Sequence, residues 1–349
     1  MNMISAKLGD LLDLFNGKKI DLSDDGAYQA FGSNGIIGKS AKFNHPSSIV
    51  LGRVGAYCGS VKYSEEPFWA SDNTIVTRPK SGHDLKYWYY KLKTASLNGY
   101  AGGAAQPLIT HTIIKPITVT YHGDLPTQER IAAILSAYDD LIENNRRRIA
   151  LLEQAARLLY REWFVHFRFP GHETAKFVDG LPEGWELRSI GEHCPFVYGK
   201  ALTADTRIAG GVDVYGSSGI VGKHNKKLVD GNAIVIGRKG NVGSVFWARN
   251  DFWPIDTAYY VAPKNSDLFT FHALENVTFI NTDVAVPGLN RNFAHSRLLA
   301  IPDNDLLVAF NNQVGLLMDQ TASLKNQAEK LAAARDLLLP RLMDGRIPV

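Results

Sequence analysis

Cysteine is nearly absent from this sequence, which has only Cys58 and Cys194 among its 349 residues. Two cysteines are too few for a disulfide framework or for a zinc site built on several thiolates. We therefore expect both to be reduced thiols of a cytoplasmic protein.

Long apolar runs are also missing. No stretch approaches the roughly 20 apolar residues that a membrane-spanning helix requires. Residues 1–7 lack the basic flank and apolar core of a secretion signal. The formal net charge is +3 and the sequence pI is about 8.6, which is below the value of about 9 that indicates a nucleic-acid-binding domain. The charge is compatible with a nucleic-acid partner without predicting one, and we expect no membrane partner.

The motifs of common enzyme classes do not occur with the spacing that their chemistry requires. Gly32 and Gly38 precede Lys39, but they enclose five residues where a phosphate-binding P-loop has four. The sequences Asn-Pro-Pro-Tyr and Asp-Pro-Pro-Tyr, with which amino-methyltransferases hold a target base, are absent. The ten histidines are scattered without metal-ligand spacing, and nothing indicates a Ser-His-Asp nucleophile. We expect no catalytic residue, no metal site and no cofactor.

An internal repeat is the most prominent feature that is present. The segment Phe31–Lys39 recurs as Tyr215–Lys223, so that Gly32 corresponds to Gly216 at an offset of 184 residues. Further matches follow in the same order, and they are Ile49–Gly55 with Ile234–Gly240, Gly59–Val61 with Gly243–Val245, Phe68-Trp69 with Phe252-Trp253, Asp72 with Asp256, and Gly17-Lys18 with Gly199-Lys200. So many matches in one order indicate a tandem duplication.

The first part of each copy has the pattern of a mixed α/β domain. Short β-branched and aromatic runs at Ser48–Leu51, Ser60–Tyr63 and Asn73–Thr77 lie between Gly, Asn and Pro residues that favour turns. The segment Asp84–Leu97 has the apolar spacing of one helix that packs on the sheet.

The second part of each copy has the 3.5-residue period of a coiled-coil seam. Apolar positions recur at alternating steps of four and three, and the two series are related by a constant offset of 179 residues. Asp124 with Pro126, and Asp303, suit the starts of the two helices, whereas Pro340 should kink or end the second helix and makes a seam contact of Leu342 doubtful. The predicted seam contains Ile131, Leu135, Tyr138, Ile142, Asn145, Ile149, Leu152, Leu159, Val314, Leu317, Leu324, Leu331 and Leu338.

These patterns predict an α+β protein with four segments, at residues 1–124, 125–168, 169–302 and 303–345. Two α/β domains are joined by two long helices, which most simply pair as an antiparallel coiled coil with pseudo-twofold symmetry. Polar seam positions such as Asn145 and Arg335 can set register. Ile131 to Trp163 spans roughly 48 Å at about 1.5 Å per residue. This length sets an upper limit on the order of 14 base pairs for the separation of the two α/β domains. The alternative is two amphipathic helices that pack on their own domains.

The helical segments carry a resemblance to a known family. Thr127–Asn145, with Leu151–Ala156 and Glu162–Gly171, resembles the central conserved helix of the specificity (DNA-recognition, S) subunits of Type I restriction–modification systems. Ala334–Gly345 resembles that family's second conserved region, and Leu181–Trp185 resembles the entry into its second recognition domain. The resemblance covers the duplicated plan of the whole chain, and the helical motifs are its most specific part.

The resemblance implies a non-catalytic DNA-binding subunit. Each α/β domain would be a target-recognition domain for one half of a bipartite double-stranded DNA sequence. The paired helices would set the spacing and bind two methyltransferase (modification) subunits, and restriction/translocase subunits would join the larger complex. Two alternatives stay open, which are a coiled-coil scaffold that binds no DNA and the recognition subunit of a related defence system.

Three loop regions in each copy provide candidates for contacts with DNA. The repeated Gly-rich loop offers hydroxyl, amide and lysine groups, and the arginine after the next β run can bind guanine or phosphate. A Gly/Pro-rich loop before the second helical part places Gln106 in line with Asn290, and Gln and Asn can pair with adenine. The candidates are Ser33, Asn34, Lys39, Arg53 and Gln106 in the first copy and Ser217, Ser218, Lys223, Lys227, Arg238, Lys239, Asn241, Asn290 and Arg291 in the second.

Each candidate has a purely structural alternative. The Gly-rich loops could be plain turns between strands, the arginines could form structural salt bridges, and the third region could be a simple loop. Lys227 is expected to add affinity for phosphate rather than sequence recognition. Lys239 and Asn241 appear only in the second copy and are therefore candidates for recognition of one half-site only.

Overall fold

The computed structural model describes residues 3–20, 22–103, 106–280 and 288–349. Its chain divides into two units of similar size. The first unit consists of Met1–Arg146 and Lys325–Val349, and the second is Arg147–Leu324. Each unit thus combines one α/β globule with parts of both long helices. The division into four segments remains a prediction.

The globule of the first unit is built on a four-stranded antiparallel sheet. Its strands and short helices are β1 (Met3–Lys7), α1 (Leu8–Leu11), β2 (Leu12–Asn16), β3 (Tyr28–Gly32), β4 (Gly35–Ser40), β5 (Ser48–Gly52), β6 (Val61–Ser64), β7 (Phe68–Ala70), β8 (Thr74–Pro79), α2 (Leu85–Thr94), α3 (His111–Ile114) and β9 (Thr118–His122). The main sheet has the order β2-β8-β5-β6, and β4-β3-β7 forms a smaller sheet. Strands β1 and β9 pair with each other at the two ends of the globule's chain.

Helix α2 covers the main sheet, which explains the continuous apolar run of strand β5. Ile49 and Leu51 of β5 share one core cluster with Tyr87, Trp88 and Leu92. Strand β5 is buried along its whole length, as expected for a strand covered on both faces. Helix α2 ends at Thr94, earlier than the predicted Leu97, because Ser96 has a left-handed backbone (φ 46°) and ends the regular helix.

The second globule repeats this plan element by element, which confirms the duplication. After the short strands β10 (Phe177–Val178) and β11 (Leu181–Pro182), its elements are β12 (Glu186–Ser189), α5 (Ile190–His193), β13 (Phe196–Tyr198), β14 (Val212–Gly216), β15 (Gly219–His224), β16 (Ala233–Gly237), β17 (Val245–Ala248), β18 (Phe252–Pro254), β19 (Ala258–Val261), α6 (Leu268–Asn276), α7 (Arg291–His295) and β20 (Leu298–Ile301). Its sheets have the orders β13-β19-β16-β17, β15-β14-β18 and β12-β20, matching those of the first globule.

Two long helices follow the globules, as predicted. The first spans Leu125–Tyr160, continues as a π-helical turn at Arg161–Val165, and is preceded by Asp124, whose Oδ2 accepts the Thr127 amide at 3.0 Å. The second spans Asn304–Met343, and the Oδ1 of Asp303 accepts the Leu306 amide at 2.9 Å. Both carboxylates bind amides that have no partner within the first helical turn. We number the long helices α4 (Leu125–Tyr160) and α8 (Asn304–Met343).

The two long helices run antiparallel within each unit. In the first unit Ile131 and Leu135, near the start of α4, share a core cluster with Leu339 and Leu342 at the end of α8. In the second unit the order is reversed. Tyr160 at the end of α4 and Trp163 in the following π-helical turn share a core cluster with Phe310 and Val314 near the start of α8. The helices also pack on the globules, since the same clusters contain residues of the sheets.

Pro340 was expected to kink or end the second helix, and the prediction of an end was wrong. Helix α8 continues through Pro340 to Met343, and Leu342 is only 1% exposed. Pro340 lies on the exposed side of the last helical turn, so the helix loses one backbone hydrogen bond near its end. Burial of the Leu342 and Met343 side chains offsets that loss.

None of the predicted seam residues is exposed. Tyr138, Ile149, Leu152, Leu159, Leu317, Leu331 and Leu338 are half-buried, and Ile131, Leu135, Ile142, Asn145, Val314 and Leu324 are buried. The seam pairing of individual residues stays a prediction.

A polar cluster joins the two helices inside the first unit. The Arg335 guanidinium of α8 pairs with the Asp139 carboxylate of α4, and the Tyr90 hydroxyl donates a hydrogen bond to Oδ2 of Asp139 at 2.6 Å. An ion pair at one position of a helix pair favours one register over its neighbours. Arg335, expected as a polar seam position, thus has a partner on the opposite helix.

Both cysteines are buried and free. Burial raises the pKa of the Cys194 thiol to about 12, so the thiol stays protonated and unreactive near neutral pH. In the described part of the chain, no helix combines the length and the apolar character that crossing a membrane demands.

Candidate nucleic-acid interface

Arg238 is held by its backbone at the end of a buried strand. It follows β16, its amide donates to the Thr257 carbonyl at 2.9 Å, and its own carbonyl accepts the Leu289 amide at 2.8 Å. The guanidinium donates through Nη1 to the Asp256 carbonyl at 2.9 Å. Contacts on both sides of the residue fix where its side chain starts, which is a requirement for a specific contact.

Arg53 occupies the same position in the first unit. It follows β5, its amide donates to the Asn73 carbonyl at 3.0 Å, and its carbonyl accepts the Ile109 amide at 2.9 Å. Its Nη1 points to the Asp72 carbonyl at 3.4 Å. Asp72 and Asp256 are the pair matched in the sequence repeat. Within the described residues neither arginine has a carboxylate partner, so the salt-bridge alternative finds no support.

A cavity of about 220 Å³ opens beside Arg238, and we call it the Arg238 cavity. The guanidinium carbons of Arg238 and Arg291 lie 4.9 and 4.8 Å from the centre of the Tyr198 ring, which places cations against an aromatic face. The Tyr259 hydroxyl donates to the Leu289 carbonyl at 2.9 Å. The cavity is lined by Tyr198, Arg238, Lys239, Tyr259, Gly288, Leu289, Asn290, Arg291 and Asn292.

An equivalent cavity of about 230 Å³ lies beside Arg53, and we call it the Arg53 cavity. Asn16 takes the place of Tyr198, since each residue immediately precedes the repeated Gly-Lys pair. Thr110 and His111 take the places of Asn290 and Arg291, which begin the corresponding short helix. The lining of this cavity is Asn16, Arg53, Ile75, Thr110, His111 and Thr112.

The sequence alignment of Gln106 with Asn290 was wrong. The amide of Ile109 donates to the Arg53 carbonyl as the amide of Leu289 donates to that of Arg238, so the residue equivalent to Asn290 is Thr110. The loop of the first copy differs in length from that of the second, and a constant offset does not hold across it. Gln106 is exposed and does not line the Arg53 cavity.

The repeated Gly-rich loops are tight β-hairpins tied to the arginine loops. The Ser33 hydroxyl donates to the Asn73 carbonyl at 2.7 Å and accepts the Val54 amide at 3.2 Å. In the second unit the Ser244 hydroxyl donates to the Ser217 carbonyl. Ser33 and Ser217 therefore support the hairpin turn, while the next residues, Asn34 and Ser218, are exposed at its tip.

The candidate lysines differ in how their charge is balanced. Lys223 pairs with Asp213 at 2.8 Å, and Lys227 pairs with Asp230 at 2.7 Å and with Asp251 at 2.8 Å. Lys39 is exposed, and the residue paired with it on β3 is Gln29 rather than an aspartate. Of these lysines, Lys39 has the side chain most available to a phosphate group.

The remaining candidates divide between the cavity and the adjacent loop. Lys239, Asn290 and Arg291 all line the Arg238 cavity, and the Asn290 side chain also accepts the Phe293 amide at 3.1 Å. Asn241 is exposed outside the cavity. Sequence reasoning missed Tyr198, Tyr259 and Asn16, although the position before the repeated Gly-Lys pair could have identified two of them.

Elsewhere in the described ranges, no group of three or more His, Cys, Asp or Glu side chains is arranged to hold a metal ion. The lining of the Arg238 cavity includes cationic, amide and aromatic groups. Such groups suit hydrogen bonds to base edges and to phosphate.

Replacing Gly237 with alanine is expected to distort the arginine loop. A Cβ at this position would lie 2.1 Å from the Asn241 carbonyl oxygen and 2.9 Å from that of Ser217, so backbone must move, at a cost of about 1 to 3 kcal/mol. Thermal unfolding and DNA binding of the variant report the effect. Gly211→Ala is the control, because nothing lies within 4 Å of its added Cβ. Equal behaviour of the two variants would contradict the close packing described.

Comparison with known proteins agrees with the duplicated plan. The sequence profile of the Type I restriction modification DNA specificity domain matches residues 2–154 and 182–293. The specificity subunit of the MjaIX type I restriction enzyme of Methanocaldococcus jannaschii is 24% identical over 347 residues, covering 87% of this chain and 78% of that protein. The specificity subunit of the HindI enzyme of Haemophilus influenzae is 22% identical over 346 residues, with 74% of each chain covered.

A solved structure supports the fold. The crystal structure of the S subunit of a Type I restriction–modification system from Mycoplasma genitalium matches with a TM-score of 0.66 over 98% of this chain and 96% of that one. The two sequences are 20% identical. The tandem α/β plan with two long helices is thus an arrangement already observed in another protein.

Proposed function

This chain belongs to the Type I restriction modification DNA specificity family, and on that premise we propose that each of its globules recognises one half of a bipartite double-stranded DNA sequence. As a specificity subunit it is a DNA-recognition protein and not an enzyme. The reactions on DNA would be catalysed by other subunits of the complex.

The observation that carries this proposal is the presence of the same site twice with different linings. Each unit has a hairpin, an arginine held by backbone on both sides and a cavity beside that arginine. The shared parts suit a common mode of docking on the duplex, whereas the different linings suit different bases. We also propose that residues around the two cavities contact DNA. They are Ser33, Asn34, Lys39, Gln106, Ser217, Ser218, Lys223, Lys227 and Asn241.

We further propose that the long helices set the distance between the half-sites and bind two methyltransferase (modification) subunits. Restriction/translocase subunits would join the larger complex. Large apolar side chains stay exposed along both helices, among them Leu141 at 50%, Leu151 at 64%, Leu316 at 68% and Leu337 at 62% exposure. They do not contribute to the cores of their units and are available to a protein partner.

The test is a map of DNA methylation. The chain is co-expressed with a methyltransferase subunit from the same system, and methylated adenines are located genome-wide by single-molecule sequencing. We expect one motif with two defined halves and a gap of constant length. The purified complex should also bind duplex DNA with an affinity that falls as the salt concentration rises. A plot of the logarithm of the binding constant against the logarithm of the salt concentration should have a slope of about −0.9 for each phosphate contact.

The same experiment distinguishes the scaffold alternative. A complex that forms but leaves no methylated motif and binds duplex DNA without dependence on salt would contradict a role in DNA recognition. A single, continuous motif would instead contradict recognition by two separate globules.

A further inference from the structure

We infer that the Arg238 cavity binds the major-groove edge of a guanine in one half-site, and that the Arg53 cavity recognises a different base in the other. This inference rests on the proposed function and adds to it the residues that determine one base. The prediction of a guanine concerns only the second globule, and the first globule serves as the comparison.

The charge of the Arg238 cavity favours a ligand that presents only hydrogen-bond acceptors. Arg238, Lys239 and Arg291 all line it, whereas no aspartate or glutamate among the described residues does. Guanine presents two neighbouring acceptors, O6 and N7, at its major-groove edge, and a guanidinium can bind both at once. Adenine and cytosine present an amino donor there, which three cations would repel.

The geometry of the cavity favours a base edge over a phosphate group. The Arg238 side chain is oriented by its bond to the Asp256 carbonyl and by the ring of Tyr198, which also faces Arg291. Fixed, planar guanidinium groups at the wall of a cavity match the planar edge of a base. Phosphate contacts need no such enclosure, since side chains of several kinds and backbone amides make them.

A second observation concerns the same position in both cavities. The Nε atom of Arg291 is inaccessible to solvent and has no hydrogen-bond partner within the described residues. The Nε2 atom of His111, which occupies the equivalent position in the first copy, is in the same state. Buried polar atoms without partners are costly and usually mark strain or a function.

The Arg53 cavity keeps the arginine but replaces its cationic and aromatic neighbours. Asn16 stands in place of Tyr198, and His111 stands in place of Arg291. In the sequence, Val54 follows Arg53 where Lys239 follows Arg238. The amide of Asn16 and the hydroxyls of Thr110 and Thr112 can each donate or accept. This mixed lining also accepts bases that present a donor, so the two half-sites should differ at the base that each cavity contacts.

The experiment exchanges cavity residues between the copies. Arg291→His and Tyr198→Asn, singly and together, introduce the residues of the first copy into the second, and each complex with the methyltransferase subunit is mapped by methylation sequencing. We expect one guanine position in one half of the motif to lose its discrimination by about 10- to 100-fold, while the other half is unchanged. Arg188→Gln is the control, because it removes an equal charge from an exposed ion pair on β12.

Three outcomes separate the possibilities. Loss of discrimination at a single guanine supports the inference. If Arg291→His weakens binding to cognate and unrelated duplexes equally and lowers the salt slope by about 1, the arginine contacts phosphate and the guanine assignment is wrong, although DNA recognition stands. If the motif keeps full discrimination in all the variants, the cavity does not recognise a base. Failure of the proposed function itself would be visible earlier, as the absence of a bipartite motif with the unaltered chain.

Discussion

Replacing Phe310 with alanine is expected to lower the free energy of unfolding of the second unit by about 3 to 5 kcal/mol. Phe310 is 0% exposed, and its ring lies 4.9 Å from Phe164, 5.8 Å from Trp163 and 6.1 Å from Tyr160, measured between ring centres. The side chain of one long helix thus fills the space enclosed by the end of the other. Alanine would leave a cavity that these large rings cannot close.

The matched control is Leu316→Ala on the same helix, six residues further along. Leu316 is 68% exposed, so its truncation removes little buried area and is expected to change stability by less than about 0.5 kcal/mol. Chemical denaturation followed by circular dichroism measures both variants. A small effect of Phe310→Ala, comparable to that of Leu316→Ala, would contradict the antiparallel packing of α4 and α8 in this unit.

Much of the fold could be predicted from the sequence because the chain contains two copies of one pattern, so that each assignment in one copy can be checked against the other. Strands β5 and β16 are short apolar runs that periodicity alone does not distinguish from buried helix. Both runs lie between similar turn residues and are followed by an arginine, Arg53 or Arg238. This recurrence favours the assignment of strands in both copies. The helix starts were predictable for a different reason, since Asp124 and Asp303 cap the next amides through local contacts.

The errors arose from distant contacts that outweigh local preference and from a loop whose length differs between the two copies. Pro340 disfavours a helix locally, yet burial of Leu342 keeps the helix intact to Met343. Gln106 was aligned by a constant offset through a loop of changed length. Tyr198 escaped notice because the sequence does not show that the end of an edge strand meets Arg238 and Arg291. Which side chains share a cavity depends on pairings between segments far apart in the chain.

The way in which the chain enters and leaves each globule permits a direct test of independent recognition. In the first globule β1 and β9 are antiparallel partners, with Met3 opposite His122. In the second, β12 and β20 pair with Glu186 opposite Ile301. Both ends of each globule therefore lie together on one strand pair. The repeat continues into the long helices, where Val314 corresponds to Leu135, and a graft can carry the buried start of the helix with the globule.

Replacing residues 3–135 with residues 186–314 is expected to give a methylated motif whose two halves contain the same bases. The second globule would then be present twice, and the original first half-site would disappear from the methylation map. In the graft Phe310 would face Leu339 and Leu342 rather than Tyr160 and Trp163, and so some loss of thermal stability is expected and should be measured alongside. Persistence of the original first half in a folded graft would contradict recognition by the first globule, because the residues of the Arg53 cavity would all be absent. Replacement of residues 186–314 by residues 3–135 is the reciprocal control, which should duplicate the other half of the motif instead.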